Sequence, residues 1–310
     1  MKLGSSAASV DARGPAGSGA DAAVTSRFAD FVTLTKPRLN LLVLLTTLAG
    51  LYLAAPSGVE LALLVNTMMG TALVAGGAAA LNQVWERHTD ALMRRTSTRP
   101  LPGGRLGTSE GAWFGVLLSA VGLAQLALAV NVTAATVAAA TLASYVLVYT
   151  PLKVRTSLAT LVGAIPGALP PVIGWTAATG TITLPALVLF GIVFFWQMPH
   201  FLGLAWLFRA DYANARIPLL PVVEPDGRRT GQQALIYTAA LWPVSLLPTV
   251  VGLAGVPYAL VATALGLLFV WLALRFARQR SMANARTLFL FSITYLPILL
   301  GALVVARLWI

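Results

Sequence analysis

The chain reads as an all-α, polytopic membrane bundle of nine transmembrane helices with a cytoplasmic N-terminus. Three observations predict this. Of 310 residues, 58% are hydrophobic and 10% charged, with a mean hydropathy of +0.81. A soluble domain carries about 25% charged residues, so this much apolar surface has no single water-soluble core to hide in. From residue 39 onward, long apolar runs alternate with short polar breaks. Most approach the ~20 helical residues that a ~30 Å hydrocarbon layer requires. Finally, 20 of the 21 Lys and Arg residues fall on one side of the resulting topology.

Residues 1–30 are rich in Gly, Ala and Ser, carry Asp11, Asp21 and Asp30, and show little apolar periodicity. They read as a disordered tail. The segment has no apolar stretch of signal-peptide type, and its acids argue against a mitochondrial transit peptide. The membrane domain is then 31–310. Its spans are expected at 39–55, 61–81, 112–130, 132–150, 157–177, 183–207, 232–252, 257–275 and 287–307. Pro56-Ser57-Gly58 closes the first. In the second, Gly76, Gly77, Ala78, Ala79 and Ala80 allow a close helix contact. Asn131 separates the third from the fourth, which Pro151 ends. Pro166, Pro170 and Pro171 predict a kink in the fifth, its freed backbone groups satisfied inside the bundle. Gly180 precedes the sixth, and Gly255-Val256-Pro257 parts the seventh from the eighth.

Loops after even-numbered spans and the N-terminal segment hold every base except Arg307. The positive-inside rule makes that face cytoplasmic, with the C-terminus outside. The net charge of +11 is thereby largely a topological signal, and no nucleic acid is implied. The absence of cysteine excludes disulfides, iron–sulfur clusters and thiolate chemistry; two histidines exclude a three-His zinc site within one chain.

Topology does not account for acids at the membrane border, where ionisable groups are costly and functional. One cluster, Asn82-Gln-Val-Trp-Glu86-Arg-His-Thr-Asp90, continues the second span. A spacing of four advances only ~40° around a helix, so Asn82, Glu86 and Asp90 form one stripe of hard oxygen ligands suited to Mg²⁺. Arg94, Arg95 and Arg99 follow and suit phosphate oxygens. A second cluster, Pro199-His200-Phe201, Arg209-Ala210-Asp211-Tyr212 and Ile217-Pro218-Leu219-Leu220-Pro221, emerges on the same face. Each reading has a plainer counterpart: a solvated helix end for the stripe, a loop ion pair with Arg209 for Asp211. Together the two clusters suggest a diphosphate site above an apolar chamber.

The stripe followed by Met93-x-Arg95-Thr96-x-x-Arg99-Pro100-Leu101-Pro102 resembles the first signature of the intramembrane, UbiA-type prenyltransferases, and most closely their haem-modifying branch. Leu34-Thr35-Lys36-Pro37-Arg38, Tyr149-Thr150-Pro151-Leu152-Lys153 and the second cluster agree with that branch, so the likeness spans about 30–310. The chain departs from the wider pattern in having Glu86 for Asp, Leu207 and Ala215 where a second Asp is common, and Arg216 where Gly is expected.

The resemblance implies farnesyl transfer from farnesyl diphosphate to a vinyl group of haem B. Water would add to that vinyl group, giving haem O and diphosphate, in haem A/O biosynthesis for terminal oxidases. Mg²⁺ would sit on Asn82, Glu86, Asp90 and Asp211, with Asp90, Asp211 and Tyr149 catalytic. Lys36, Arg38, Arg94, Arg95, Arg99, Lys153 and Arg155 would hold diphosphate, with Lys36 and Lys153 foremost, and His200 would hold haem iron or a propionate. Implied partners are farnesyl diphosphate, haem B, the lipid bilayer and haem A synthase, in a bacterial inner membrane. Alternatives are prenylation of 4-hydroxybenzoate or another aromatic ring, and transport. No clear internal repeat of transporter type is visible.

Overall fold

The computed structural model describes residues 26–55 and 57–307. Most of the expected tail lies outside them. Residues 27–30, assigned to that tail on composition, instead open a helix, α1 (Arg27–Leu34), whose N-terminus Ser26 caps by accepting from the Ala29 amide. Asp30 is buried and pairs with Arg105 at 2.9 Å. At eight residues, α1 is too short to declare itself by periodicity.

Nine helical spans follow among the described residues, each long and apolar enough to cross a membrane. The first three are α2 (Pro37–Ala54), α3 (Leu61–Ala91) and α4 (Thr108–Ala129). The fourth is α5 (Val132–Ala143), a π-helical stretch Ser144–Tyr149 and α6 (Thr150–Leu152); the fifth is α7 (Ala159–Ala168) with α8 (Pro170–Thr179). Then come α9 (Leu184–Leu207), the short α10 (Arg209–Asn214) and α11 (Leu220–Val223), and α12 (Arg228–Val250), α13 (Val256–Arg278) and α14 (Met282–Arg307).

Apolar runs mark the hydrocarbon layer and not the helix ends, so α3 runs ten residues past the expected 81, while α12 and α14 start earlier than expected. The fifth span breaks at Leu169, between Pro166 and Pro170. Pro170 has no N–H to give to Pro166, and Leu169 N takes that carbonyl in a tighter turn at 3.4 Å.

Close crossings depend on glycine. A Cβ on Gly77 of α3 would overlap the Gly115 carbonyl and Ser119 hydroxyl of α4, as the small-residue stretch predicts. A Cβ on Gly174 of α8 would meet the Thr47 carbonyl of α2. The largest core draws on most of the spans, chiefly α9, α13 and α14, and beside it Tyr258 donates to the Ser245 carbonyl at 2.8 Å and Tyr295 shares a 2.9 Å bond with the Ser245 hydroxyl. Large exposed side chains on the spans, such as Leu117, Leu128, Leu187 and Leu260, are apolar. Such a surface is expected against lipid, where the backbone must satisfy itself within helices.

Because the spans alternate in direction, α1, the α3–α4 loop, the α6–α7 turn, α10 and α11 gather at one end. Contacts join them: Arg95 stacks on Phe208, Arg209 reaches Met282, and Arg280 donates to the Asp226 carbonyl.

Candidate active site

The last three turns of α3 bring Asn82, Glu86 and Asp90 to that end, all buried. The predicted stripe is there, and each member meets a base from a different segment. Lys36 Nζ donates to Asn82 Oδ1 at 2.7 Å, Lys153 Nζ to Glu86 Oε1 at 2.9 Å, and Arg99 to Asp90 Oδ2 at 2.6 Å. Asn82 Nδ2 in turn donates to Thr150 Oγ1 at 3.1 Å.

Lys36 sits in the left-handed region, φ 49°, immediately before Pro37. A non-glycine residue held there carries about 1–3 kcal/mol of strain, and such strain concentrates at functional sites. Burial pushes the Lys36 ammonium down, to about 8, against the opposing pull of Glu86. Burial also works to lower Lys153, but Glu86, Tyr149 and Tyr212 outweigh it and hold that ammonium above the ordinary lysine range.

Beneath the cluster lies a cavity of about 350 Å³. That falls in the ~300–1,000 Å³ range of small-molecule sites. Lys36, Tyr145, Tyr149, Lys153 and Tyr212 line it, and Val43, Ala75, Ala78, Pro166, Phe201 and Leu204 give it apolar walls. The π-helical turn arranges one wall. Thr150 donates its hydroxyl to the Tyr145 carbonyl five residues back, and Tyr145 and Tyr149 stack at 5.4 Å. In an α-helix a spacing of four drifts ~40° each time. The wider turn offsets that drift, so Tyr145, Tyr149 and Lys153 share one face.

Of the expected diphosphate residues, the structure unites Lys36, Arg99 and Lys153. Arg38 lines a shallower cleft beside Lys36 and Arg99, while Arg94, Arg95 and Arg155 are exposed. Asp211 is half-buried on α10, and no three His, Asp or Glu side chains converge among the described residues. Its neighbour Tyr212 lines the cavity, as does Leu219 further along the same segment. His200 is absent from the cavity lining. It is clasped between Trp196 at 5.1 Å and Phe289 at 4.9 Å, with Nδ1 2.8 Å from the Ser292 hydroxyl. The Ser292 hydroxyl also reaches the Phe289 carbonyl of its own helix.

Sequence reasoning passed over Tyr145, Thr150, Gln197 and the cavity role of Tyr212. Tyr145 shares the four-residue spacing of Tyr149 and Lys153, and Gln197 is a lone amide in an apolar run; both signals were available.

The donor set fits a hard cation. Mg²⁺ takes one or two carboxylates and completes its shell with water and substrate phosphate, so Glu86, Asp90 and the Asn82 oxygen suffice without a closed protein cage. A helical bundle with a carboxylate–base cluster over an apolar chamber defines an intramembrane enzyme for an anionic, lipid-like substrate.

The chain belongs to the UbiA prenyltransferase family, whose model matches residues 43–296. It is 46% identical over 287 residues to a protoheme IX farnesyltransferase of Solibacter usitatus, covering 90% of this chain and 98% of that one. It is 41% identical to that of Aquifex aeolicus, covering 89% and 94%. Among solved structures, a digeranylgeranylglyceryl phosphate synthase matches with TM-score 0.78 at 15% identity, over 91% of this chain and 99% of that one. A UbiA homologue from Archaeoglobus fulgidus, bound to DMAPP and Mg²⁺, matches with TM-score 0.65 at 16% identity, over 88% and 99%. At these identities the structures speak to the fold alone.

Proposed function

We propose that this chain transfers the farnesyl group of farnesyl diphosphate to a vinyl carbon of haem B, giving haem O and diphosphate. The observation that carries the proposal is the cluster of Lys36, Lys153 and Arg99 on Asn82, Glu86 and Asp90, above an apolar cavity. The branch assignment draws support from relatives named protoheme IX farnesyltransferase.

Asn82, Glu86 and Asp90 would hold Mg²⁺, with Asp211 offering a further carboxylate from α10. Bound there, the metal supplies electrostatic stabilisation of the leaving diphosphate. Lys36, Lys153 and Arg99 take the remaining phosphate charge, and Arg38, Arg94, Arg95 and Arg155 guide the anion inward. Tyr149 and Tyr145 line the path of the allylic carbons and help exclude water. His200, its Nδ1 held at the Ser292 hydroxyl, would offer Nε2 to haem iron or a propionate. The site faces the cytoplasm of a bacterial inner membrane, and the product passes to an enzyme such as haem A synthase.

Purified protein given farnesyl diphosphate, Mg²⁺ and either haem B or 4-hydroxybenzoate tests the reading. Farnesylated haem is expected; prenylated hydroxybenzoate with haem untouched would overturn the branch assignment. Asp90→Asn and Asp211→Asn are expected to abolish turnover while the protein stays folded and inserted. Normal turnover by either removes that residue's role. His200→Ala is expected to weaken haem binding and spare farnesyl diphosphate binding.

A further inference from the structure

Gln197 is 4% exposed and sits mid-way along α9 among apolar residues, yet it lines the cavity. Both protons of its amide are committed. Nε2 donates to the Ala164 carbonyl of α7 at 3.2 Å and to the Val193 carbonyl of its own helix at 3.1 Å. Reversing the amide would set its oxygen against two carbonyl oxygens, so the orientation is fixed. The other amide atom, Oε1, accepts no hydrogen bond among the described residues.

Room for that oxygen comes from Gly167, where a Cβ would overlap Oε1. Four residues earlier, Gly163 gives the same space to the Tyr149 ring. Four helical residues span ~6 Å, so the oxygen lies one turn further along the α7 wall than Tyr149, on the side away from Lys153. A carbonyl oxygen presents partial negative charge and no proton. It has no attraction for diphosphate or for haem propionates, and nothing to offer a farnesyl chain.

We propose that Gln197 Oε1 positions the water consumed in the reaction. This rests on the haem-farnesylating reading above. Of the species in that reaction, water is the one with O–H groups to give to a carbonyl oxygen. The terminal vinyl carbon forms a bond to C1 of the farnesyl group as the C1–oxygen bond to diphosphate breaks, the electron pair leaving with diphosphate. The inner vinyl carbon is left cationic. The water held by Gln197 forms a carbon–oxygen bond there and gives up a proton to diphosphate, leaving a hydroxyl. Without a placed water, the same cation loses a carbon-bound proton and yields an olefin lighter by one water.

The ratio of hydroxylated to dehydrated farnesyl-haem therefore reports the role, and a merely structural glutamine would not move it. Wild type in heavy-oxygen water is expected to give a labelled hydroxyl product. Gln197→Leu is expected to lower the hydroxyl-to-olefin ratio about tenfold, the factor equivalent to ~1.4 kcal/mol. Should Gln197→Leu fail to fold, Gly167→Ala crowds the same oxygen and is expected to shift the ratio in the same direction. An unchanged ratio in a folded variant, even with slower turnover, overturns the proposal. Wild-type protein that makes no farnesylated haem overturns the functional reading itself, which is a distinct result.

Discussion

Glu86 and Lys153 form the most enclosed of the cluster's ion pairs, and removing one partner is expected to cost more than removing both. Their side chains are 5% and 16% exposed, at 2.9 Å, so solvent screens the pair little. Glu86→Gln leaves an ammonium buried without its counter-ion, a loss of ~3–5 kcal/mol for pairs of this kind. Lys153→Met is milder, because Glu86 still has the field of Lys36. The double variant Glu86→Gln/Lys153→Met removes both charges and is expected within ~1 kcal/mol of wild type, since apolar or neutral replacement of a buried pair is commonly neutral. The coupling energy in the cycle is then at least ~2 kcal/mol. Denaturation of detergent-purified protein measures it, with farnesyl transfer assayed on the same preparations. All three variants are expected to be inactive, so the double would be stable and dead. A double variant as unstable as Glu86→Gln alone, or one that keeps its activity, would refute both the pairing and its catalytic use.

Three other outcomes follow from the geometry. Lys36 is charged below its pKa of about 8 and loses that charge as pH rises. With this group holding diphosphate in the free enzyme, kcat/KM for farnesyl diphosphate falls above pH 8, and Lys36→Arg moves the falling limb beyond pH ~10; a limb unmoved by that substitution assigns it to another group. Arg216 occupies the left-handed region, φ 56°, at the position where the sequence pattern leads one to expect glycine, so Arg216→Gly is expected to gain ~0.5–1 kcal/mol net of the glycine entropy cost, with activity kept; a loss in denaturation midpoint contradicts this. Gly174→Ala forces a Cβ onto the Thr47 carbonyl, and the α2–α8 crossing is expected to lose ~1–3 kcal/mol or more, seen as a lower unfolding midpoint and poor monodisperse yield.

The nine spans were legible because hydrocarbon thickness imposes one length on every crossing, and α3 was legible in detail because a spacing of four on a helix is a geometric fact. The partners of the α3 stripe were not. Lys36, Arg99 and Lys153 lie 46, 9 and 67 residues from the groups they meet, and only the packing of α2, α3 and the fourth span unites them. The side of α9 that faces the cavity was equally hidden. Its sequence is apolar nearly all round, so no amphipathic stripe separates Gln197 and Phe201, which line the cavity, from His200, which turns to α14. Tyr145 went unread for a different reason: its four-residue spacing from Tyr149 and Lys153 is visible, but an α-helical period drifts ~40° at each such step, and the π-helical turn that offsets the drift is not written in the spacing.

The electrostatics of the cluster join folding to function. Two buried carboxylates at the end of α3 would be costly alone, so three bases from elsewhere in the chain meet the stripe: Lys36 at Asn82, Lys153 at Glu86 and Arg99 at Asp90. The bases outnumber the acids. That surplus, set above an apolar cavity and poorly screened, draws an anion to this rim of the bundle. A diphosphate with an apolar tail satisfies both halves of the site at once, whereas a neutral lipid would leave the surplus charge unmet. A free phosphate would leave the cavity wet. On the proposed reading, the three side chains that hold the α3 end in place would also meet the substrate's diphosphate. This is why replacing any one of them is expected to disturb stability and farnesyl diphosphate affinity together, while replacing an exposed base such as Arg155 disturbs affinity alone.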